Sequence, residues 1–208
     1  MSRPRGSSKR SHERHENDPY VRRARAEGYR SRAVYKLEEL LQGLELDTRR
    51  PVVVDLGAAP GGWSQYLARR YGDSATIVAI DLLPMEPLAG VTTLTADFAD
   101  EAGLAALTEA LNGAAADLVI SDMAPNISGT RAVDQPRSMH LAELALSFAR
   151  EVLADGGAFV CKLFQGEGFD EFIRDCRRSF RAVRIRKPKA SRMASREVYV
   201  VARNYFVV

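Results

Sequence analysis

The segment that most constrains the fold is a run of β-branched residues that leads directly into a glycine-rich turn. Residues 52–56 (Val-Val-Val-Asp-Leu) continue without a break into residues 57–63 (Gly-Ala-Ala-Pro-Gly-Gly-Trp). The first run predicts a short buried strand, and the helical pattern at 65–71 places the turn at the start of a helix. A strand, a tight turn and a helix in this order are typical of an α/β sheet that binds a ligand at the turn.

The same alternation continues along the chain. Further strands are predicted at 75–80, 91–95, 117–121 and 157–164, with helices at 101–111, 136–153 and 169–179. Residues 182–187 and 197–202 form two more strands with no helix between them, which predicts an antiparallel hairpin inserted into the sheet or at its edge. We therefore expect a doubly wound, Rossmann-like α/β fold with a mostly parallel, seven-stranded sheet.

The N-terminal region has its own organisation. A helical period spans residues 19–44, with Ser31 as a candidate cap. Residues 1–18 are polar and charged, which predicts a flexible basic arm before a single domain over 19–208. No apolar run is long enough to cross a bilayer. The two cysteines have no metal-ligand spacing and fit a reducing compartment, so we expect a cytoplasmic protein without a structural metal.

The positive charge is concentrated in two blocks. Residues 1–36 hold 11 Lys and Arg against 4 Asp and Glu, a balance of +7, so the remainder carries −4 within the net charge of +3. Residues 174–196 are basic again, opposed only by Asp175. Each block alone could be a solvated face, but two blocks around a mildly acidic middle favour a nucleic-acid partner.

The glycine spacing of the turn restricts the ligand. Gly57, Gly61 and Gly62 follow the pattern G-x-x-x-G-G with Pro60 inside, whereas a dinucleotide site has G-x-G-x-x-G. A tight turn without a ligand is the alternative. If a ligand binds, the spacing favours a smaller, cationic nucleoside over a pyrophosphate, which weakens the case for a nicotinamide-dependent dehydrogenase.

Acidic residues follow four successive predicted strands, namely Asp55, Asp81, Asp97 and Asp122. Any one of them could be a helix cap, but together they line the edge where open α/β sheets bind ligands. An acid after the second strand commonly binds ribose hydroxyls. Carboxylates here repel phosphate and attract a sulfonium or an amino group.

Three further residues are candidates for chemistry. Lys162 lies within an apolar strand, where a buried ammonium needs a partner or loses its proton, although a strand-end lysine can also extend its amine to solvent. Lys36 in the N-terminal helix could simply be solvated. Glu197 starts the last strand and could simply pair with Arg196.

Taken together, these segments resemble a known family. The matching segments, in order, are 31–33 with Lys36-Leu37, 55–63, 81–85, 121–126, 162–172 and 195–199. They resemble the bacterial ribosomal RNA large-subunit 2′-O-ribose methyltransferases of the FtsJ family, over about residues 20–202. The resemblance implies the fold of a class I methyltransferase that uses S-adenosyl-L-methionine (SAM).

The resemblance also implies roles for individual residues. It implies a catalytic tetrad of Lys36, Asp122, Lys162 and Glu197. It implies cofactor contacts by Gly61, Trp63, Asp81, Asp97 and Asp122, to which the turn and strand-end pattern adds Asp55, Gly57 and Gly62. The implied substrate is a uridine in the A-loop of 23S rRNA, in the large ribosomal subunit, modified by a monomer.

Chemical reasoning gives the tetrad a working hypothesis. A ribose hydroxyl is a poor nucleophile, so a desolvated Lys162 could accept its proton while Asp122 orients the amine and Lys36 and Glu197 position the sugar. Two alternatives remain open: the same reaction on transfer RNA or an mRNA cap, and a ribosome assembly factor without catalytic activity. Basic residues on both sides of the site would contact phosphates, namely Arg22, Arg23, Arg25, Arg30 and Arg32 with Arg184, Arg186, Lys187, Lys189 and Arg192.

Overall fold

The computed structural model describes residues 18–46, 48–193 and 195–206. The predicted basic arm therefore lies, except for Asp18, outside the described residues. The strands are β1 (Val52–Leu56), β2 (Thr76–Asp81), β3 (Val91–Thr95), β4 (Ala116–Ser121), β5 (Leu153–Phe164), β6 (Phe180–Arg186) and β7 (Glu197–Tyr205). The helices are α1 (Pro19–Ala26), α2 (Val34–Leu40), α3 (Gly62–Tyr71), α4 (Glu101–Leu111), α5 (Arg131–Val152) and α6 (Phe169–Ser179).

The strands form one seven-stranded sheet in the order β3-β2-β1-β4-β5-β7-β6. Strands β1 to β5 are parallel, whereas β7 runs antiparallel to both of its neighbours, β5 and β6. The predicted hairpin is confirmed, and the structure places β7 between β5 and β6. The strand order reverses between β1 and β4, which puts a ligand-binding crevice beyond the carboxyl ends of these two strands.

Apolar side chains on both faces of the sheet are buried by helices. Alternate strand residues such as Val54 and Val119 pack with α4, α5 and α6, and their neighbours Val53 and Leu118 pack with α2 and α3. Because successive strand residues point to opposite faces, these strands are apolar at nearly every position. The N-terminal helices and the glycine-rich turn therefore lie on the opposite side of the sheet from α6.

The N-terminal helical region is two helices, since the chain turns at Gly28, where φ is +69°. Ser31 does not cap α2 directly: its hydroxyl accepts a hydrogen bond from the Ala33 N–H, and Ala33 is the cap residue. Helix α5 begins at Arg131, five residues before the predicted start, with Pro136 inside it. Proline favours the first turn of a helix, and the predicted start was at Pro136. In the structure, the Asp134 carboxylate accepts hydrogen bonds from the backbone N–H groups of Ser128 and Gly129, just before the helix begins.

Candidate active site

Three of the predicted strand-end carboxylates meet at one cavity. Asp81, Asp97 and Asp122 line a space of about 230 Å³ together with Gly57 of the turn. This acidic cavity lies beyond the carboxyl ends of β1, β2 and β4, where the change in strand order leaves a crevice. The sequence-based expectation that these acids share one crevice is met for these three.

The turn is held rigidly against this cavity. Gly57 has a φ of +76°, and a Cβ added there would lie 2.6 Å from the Met123 Cγ, so the turn requires glycine at this point. The Asp81 carboxylate accepts a hydrogen bond from the Ala59 N–H at 2.9 Å and one from the Leu83 N–H at 2.8 Å. Asp81 thus fixes the turn and the loop after β2 while still lining the cavity.

Asp55 lies beneath the turn and does not line the cavity. Its side chain is fully buried; one carboxylate oxygen accepts a 2.6 Å hydrogen bond from the Ser64 hydroxyl, and the other has no partner among the described residues. Burial raises the pKa of Asp55 to about 7, and the nearby charges of Asp122 and Asp81 add to the shift, while the bond from Ser64 opposes it. A direct cofactor contact by Asp55 stays a prediction.

Gly61, Gly62 and Trp63 join the turn to the N-terminal segment. Gly61 has a φ of +100°, and a Cβ on Gly62 would lie 2.9 Å from the Ser31 Cβ. The Trp63 indole N–H donates to the Ala33 carbonyl at 2.7 Å. None of the three lines the acidic cavity in the described part of the chain, so their cofactor contacts also stay predictions.

Lys162 has the partner that its burial requires. Its side chain is 8% exposed, and its Nζ lies 3.0 Å from the Asp122 Oδ1. The same amine donates to the backbone carbonyl of Asp122. The ion pair explains how the apolar strand β5 tolerates a lysine.

Lys36 and Glu197 form a second ion pair, although they are 161 positions apart in sequence. The Lys36 Nζ donates to the Glu197 Oε1 at 2.6 Å, and the Ser191 hydroxyl donates to the same oxygen at 2.9 Å. The pairing of Glu197 with Arg196 is therefore not needed to explain this acid. Both side chains of the ion pair are largely buried, at 14% and 13% exposure.

Tyr199 connects the two ion pairs. Its hydroxyl donates to the Asp122 Oδ1 at 2.8 Å and accepts from the Lys36 Nζ at 3.2 Å. Tyr199 faces Lys162 across the antiparallel β5–β7 register and shares a strand face with Glu197. Burial, followed by the charges of Asp122 and Glu197, raises the pKa of Tyr199 well above its ordinary value, so its hydroxyl keeps its proton.

No role for Tyr199 was predicted from the sequence. The available signal was its position two residues after Glu197, which places both side chains on one face of a strand. The result is a continuous polar chain from Lys162 through Asp122, Tyr199 and Lys36 to Glu197. All four residues of the predicted tetrad are thus brought together.

The polar chain joins two openings in the surface. Asp122 lines the acidic cavity, whereas Lys36 and Glu197 line a second concavity of about 350 Å³ together with Arg32 and Arg192. This second space is called the basic concavity below.

Several arginines and lysines expected to contact phosphate instead bind backbone carbonyls. Arg30 donates to Pro60, Glu86 and Pro87, which ties the glycine-rich turn to the loop after β2. Arg186 donates to the carbonyls at the end of α2, and Lys187 donates to those of Met193 and Ser195. Arg32 pairs with Asp18 and donates to the Ala190 carbonyl. These residues stabilise the walls of the site.

In the part of the chain that the structure describes, no helix is both long and apolar enough to span a membrane. No group of three or more His, Cys, Asp or Glu side chains within residues 18–46, 48–193 and 195–206 is arranged to hold a metal ion.

Two solved methyltransferases share this fold. A Plasmodium falciparum protein assigned as a ribosomal RNA methyltransferase matches with a TM-score of 0.75 at 28% identity, covering 85% of this chain and 98% of its own. Human methyltransferase-like protein 13, solved with SAH, has a TM-score of 0.54 at 15% identity, over 83% of this chain and 78% of its own, which shows the fold alone. The fold is that of a Rossmann-like methyltransferase.

Sequence comparison gives the family. A family model described as FtsJ-like methyltransferase matches residues 29–205. The ribosomal RNA large subunit methyltransferase E of Stenotrophomonas maltophilia strain K279a is 58% identical over 195 residues, which are 94% of this chain and 93% of that protein. The protein of the same name from strain R551-3 is 57% identical over the same shares. The chain belongs to the FtsJ-like methyltransferase family.

Proposed function

We propose that this protein uses SAM to methylate the 2′-hydroxyl of a uridine ribose in the A-loop of 23S rRNA, within the large ribosomal subunit. The family and the name of its 58% identical relative support methyl transfer to large-subunit ribosomal RNA. We further propose that it acts as a cytoplasmic monomer.

The polar chain from Lys162 to Glu197 is the observation on which the proposal rests. It runs from the buried amine of Lys162, whose partner Asp122 lines the acidic cavity, to Lys36 and Glu197, which line the basic concavity. A donor with a positive charge suits the first space, and a polyanion suits the second. The polar chain therefore connects the two spaces in which we place the two ligands.

The residues around the acidic cavity fit SAM. Asp81 suits the ribose hydroxyls, Asp97 suits polar atoms of the nucleoside and Asp122 suits the positive end. The same carboxylates would repel the pyrophosphate of a nicotinamide dinucleotide. When bound, SAM supplies a methyl group that its sulfonium has already made electrophilic.

We assign to Lys162 the uptake of the proton that the ribose 2′-hydroxyl loses. The amine has to be neutral to accept this proton.

The other members of the polar chain position the reacting groups. Asp122 orients the Lys162 amine, and Tyr199 holds the Asp122 carboxylate from its other side. The ion pair of Lys36 and Glu197 would hold the ribose at the basic concavity. Alignment of this kind accounts for much of the rate of a reaction whose donor is already activated.

The substrate is tested by incubating the protein with methyl-labelled SAM and with one of three RNAs: free 23S rRNA, assembled large subunits or transfer RNA. We expect label in the large subunit, at one uridine ribose, when the modified nucleotide is mapped by mass spectrometry. Label confined to transfer RNA would overturn the substrate, and the absence of transfer to every RNA would favour an assembly factor.

The role of Lys162 is tested with Lys162→Met, which removes the amine and keeps most of the volume. We expect loss of turnover by at least about 100-fold, the lower range for removing a general base, with SAM still bound in calorimetry. Arg177→Met, on the exposed surface of α6, is the matched control and should keep wild-type activity. Near-normal methylation by Lys162→Met would refute the assignment.

A further inference from the structure

Asp55 is a buried carboxyl to which the proposed reaction gives no task. Its side chain is fully buried beneath the glycine-rich turn, and the Ser64 hydroxyl donates to one of its oxygens at 2.6 Å. The other oxygen has no hydrogen-bond partner among the described residues. The amine at the same end of the sheet, that of Lys162, pairs with Asp122 instead. A buried charge without a counter-ion is costly, so the fold favours the protonated form of Asp55.

Two carboxylates close by act in the same direction. Asp122 adjoins β1, because its backbone N–H donates to the Leu56 carbonyl at 3.2 Å. Asp81 ends β2, which pairs with β1 on its other side. The pKa of Asp55 is raised to about 7, mainly by burial and then by these two negative charges, against the opposing effect of the bond from Ser64. Near neutral pH, Asp55 is therefore divided between its protonated and charged forms.

Further charged and polar groups on the surrounding elements bind other partners. They are Lys36 of α2, Arg69 and Arg70 of α3, Asp97 after β3, Lys162 of β5, and Glu197 and Tyr199 of β7. The two arginines of α3 are exposed, whereas Ser64 of the same helix faces Asp55. The acids Asp81 and Asp122 are thus the charged neighbours that act on the Asp55 carboxyl.

These two acids connect Asp55 to the acidic cavity, because both also line it. The inference rests on the proposed function, in which this cavity holds SAM. SAM carries a positive charge on its sulfonium, whereas S-adenosylhomocysteine (SAH), the product after methyl transfer, has an uncharged thioether there. A positive charge beside Asp81 and Asp122 offsets their repulsion of a charged Asp55, and an uncharged sulfur does not.

We propose that the Asp55 carboxyl releases its proton when SAM binds and keeps it when SAH binds, so that this residue sets the preference of the site for the cofactor over its product. The O–H bond of the carboxyl breaks, its electron pair stays on the carboxylate, and the proton passes to the buffer. A group that ionises on binding makes binding tighter as pH rises. The preference for SAM should therefore increase with pH, and inhibition by SAH should weaken.

The size of the effect depends on how far SAM lowers the pKa of Asp55. An opposite charge within about 4–6 Å lowers the pKa of a carboxyl by about 1–3 units. If the pKa falls by about one unit from about 7, the affinity for SAM rises about fivefold between pH 6 and pH 8. About 0.4 of a proton is then released per SAM bound at pH 7. Binding of SAH should release no proton from Asp55.

Isothermal titration calorimetry tests this with the wild type, Asp55→Asn and Asp155→Asn. The last variant makes the same change at an exposed acid near the amino end of β5, away from the cavity. Each protein is titrated with SAM and with SAH at pH 6, 7 and 8, in two buffers of different ionisation enthalpy, so that the heats give the protons released. Subtraction of the Asp55→Asn values removes any proton that the ligands themselves exchange.

We expect the ratio of SAM affinity to SAH affinity to rise about fivefold from pH 6 to pH 8 in the wild type and in Asp155→Asn, relative to Asp55→Asn. Ser64→Ala gives a second measurement, because loss of its hydroxyl raises the pKa of Asp55 further. The rise in SAM affinity should then move to higher pH. A merely structural role of Ser64 would weaken both ligands and leave the pH range unchanged.

The outcomes separate this inference from the proposed function. A wild-type affinity ratio that is independent of pH, or a rise that persists in Asp55→Asn, would overturn the role of Asp55 and leave the proposed function intact. If SAM releases the proton but no RNA accepts a methyl group, the proposed function fails and the role of Asp55 stands. Absence of binding of both SAM and SAH at every pH would overturn both.

Discussion

The buried carboxyl of Asp55 should make the stability of this protein fall as pH rises towards neutrality. In the folded chain its pKa is raised from 3.8 to about 7, mainly by burial. Below about pH 4 both folded and unfolded chains carry the proton, so the group contributes no difference there. Between about pH 4 and 7 the folded chain holds a proton that the unfolded chain releases, so the free energy of unfolding decreases with rising pH.

The size of the effect follows from the shift. At about 1.4 kcal/mol per pKa unit, a rise from 3.8 to about 7 corresponds to about 4 kcal/mol in total. From pH 5 to pH 8, the wild type should lose about 3 kcal/mol through this group. Asp55 is fully buried, so solvent does not screen the effect.

Asp55→Asn is the matched variant, because an amide has nearly the same volume and does not ionise. Urea denaturation of both proteins at pH 5 and pH 8 removes the contribution of every other titrating group from the comparison. We expect the stability of Asp55→Asn relative to the wild type to rise by about 3 kcal/mol between the two pH values. Ser64→Ala should move the wild-type loss to higher pH, since the Ser64 hydroxyl stabilises the charged carboxylate. A stability difference that is the same at both pH values would refute the reasoning.

Two substitutions test the site itself. Tyr199→Phe removes the hydroxyl that lies between Asp122 and Lys36. We expect a loss of about 1.5–3 kcal/mol, either in the free energy of unfolding or in stabilisation of the transition state. The first would lower the melting temperature, and the second would lower kcat. A wild-type melting temperature together with wild-type kcat would contradict the link. Gly57→Ala puts a side chain on a residue whose φ is +76° and presses it against Met123. We expect the free energy of unfolding in urea to fall by at least about 1–2 kcal/mol and SAM to bind more weakly. An unchanged urea midpoint would argue against this reasoning.

The order of elements could be predicted from the sequence because it depends on local patterns. The β-branched run before Gly57, the helical periods and the missing helix before the last strand all act over a few residues, and the structure confirms the α/β class and the antiparallel hairpin. The grouping of Asp81, Asp97 and Asp122 also followed, since the ends of parallel strands meet at one edge of a sheet. Helix boundaries were predicted less accurately. The chain turns at Gly28, which divides the predicted N-terminal helix into two, and Pro136 lies inside α5 instead of at its start.

Contacts between residues far apart in the chain were decided only by the tertiary structure. Tyr199 joins Asp122 and Lys36 across 77 and 163 positions, and no local pattern encodes either contact. The burial of Asp55 and the use of Arg30 to bind three carbonyls likewise depend on what packs around each side chain. A sequence thus shows which groups can ionise or donate, whereas the folded chain decides which partners they meet and how much water remains around them.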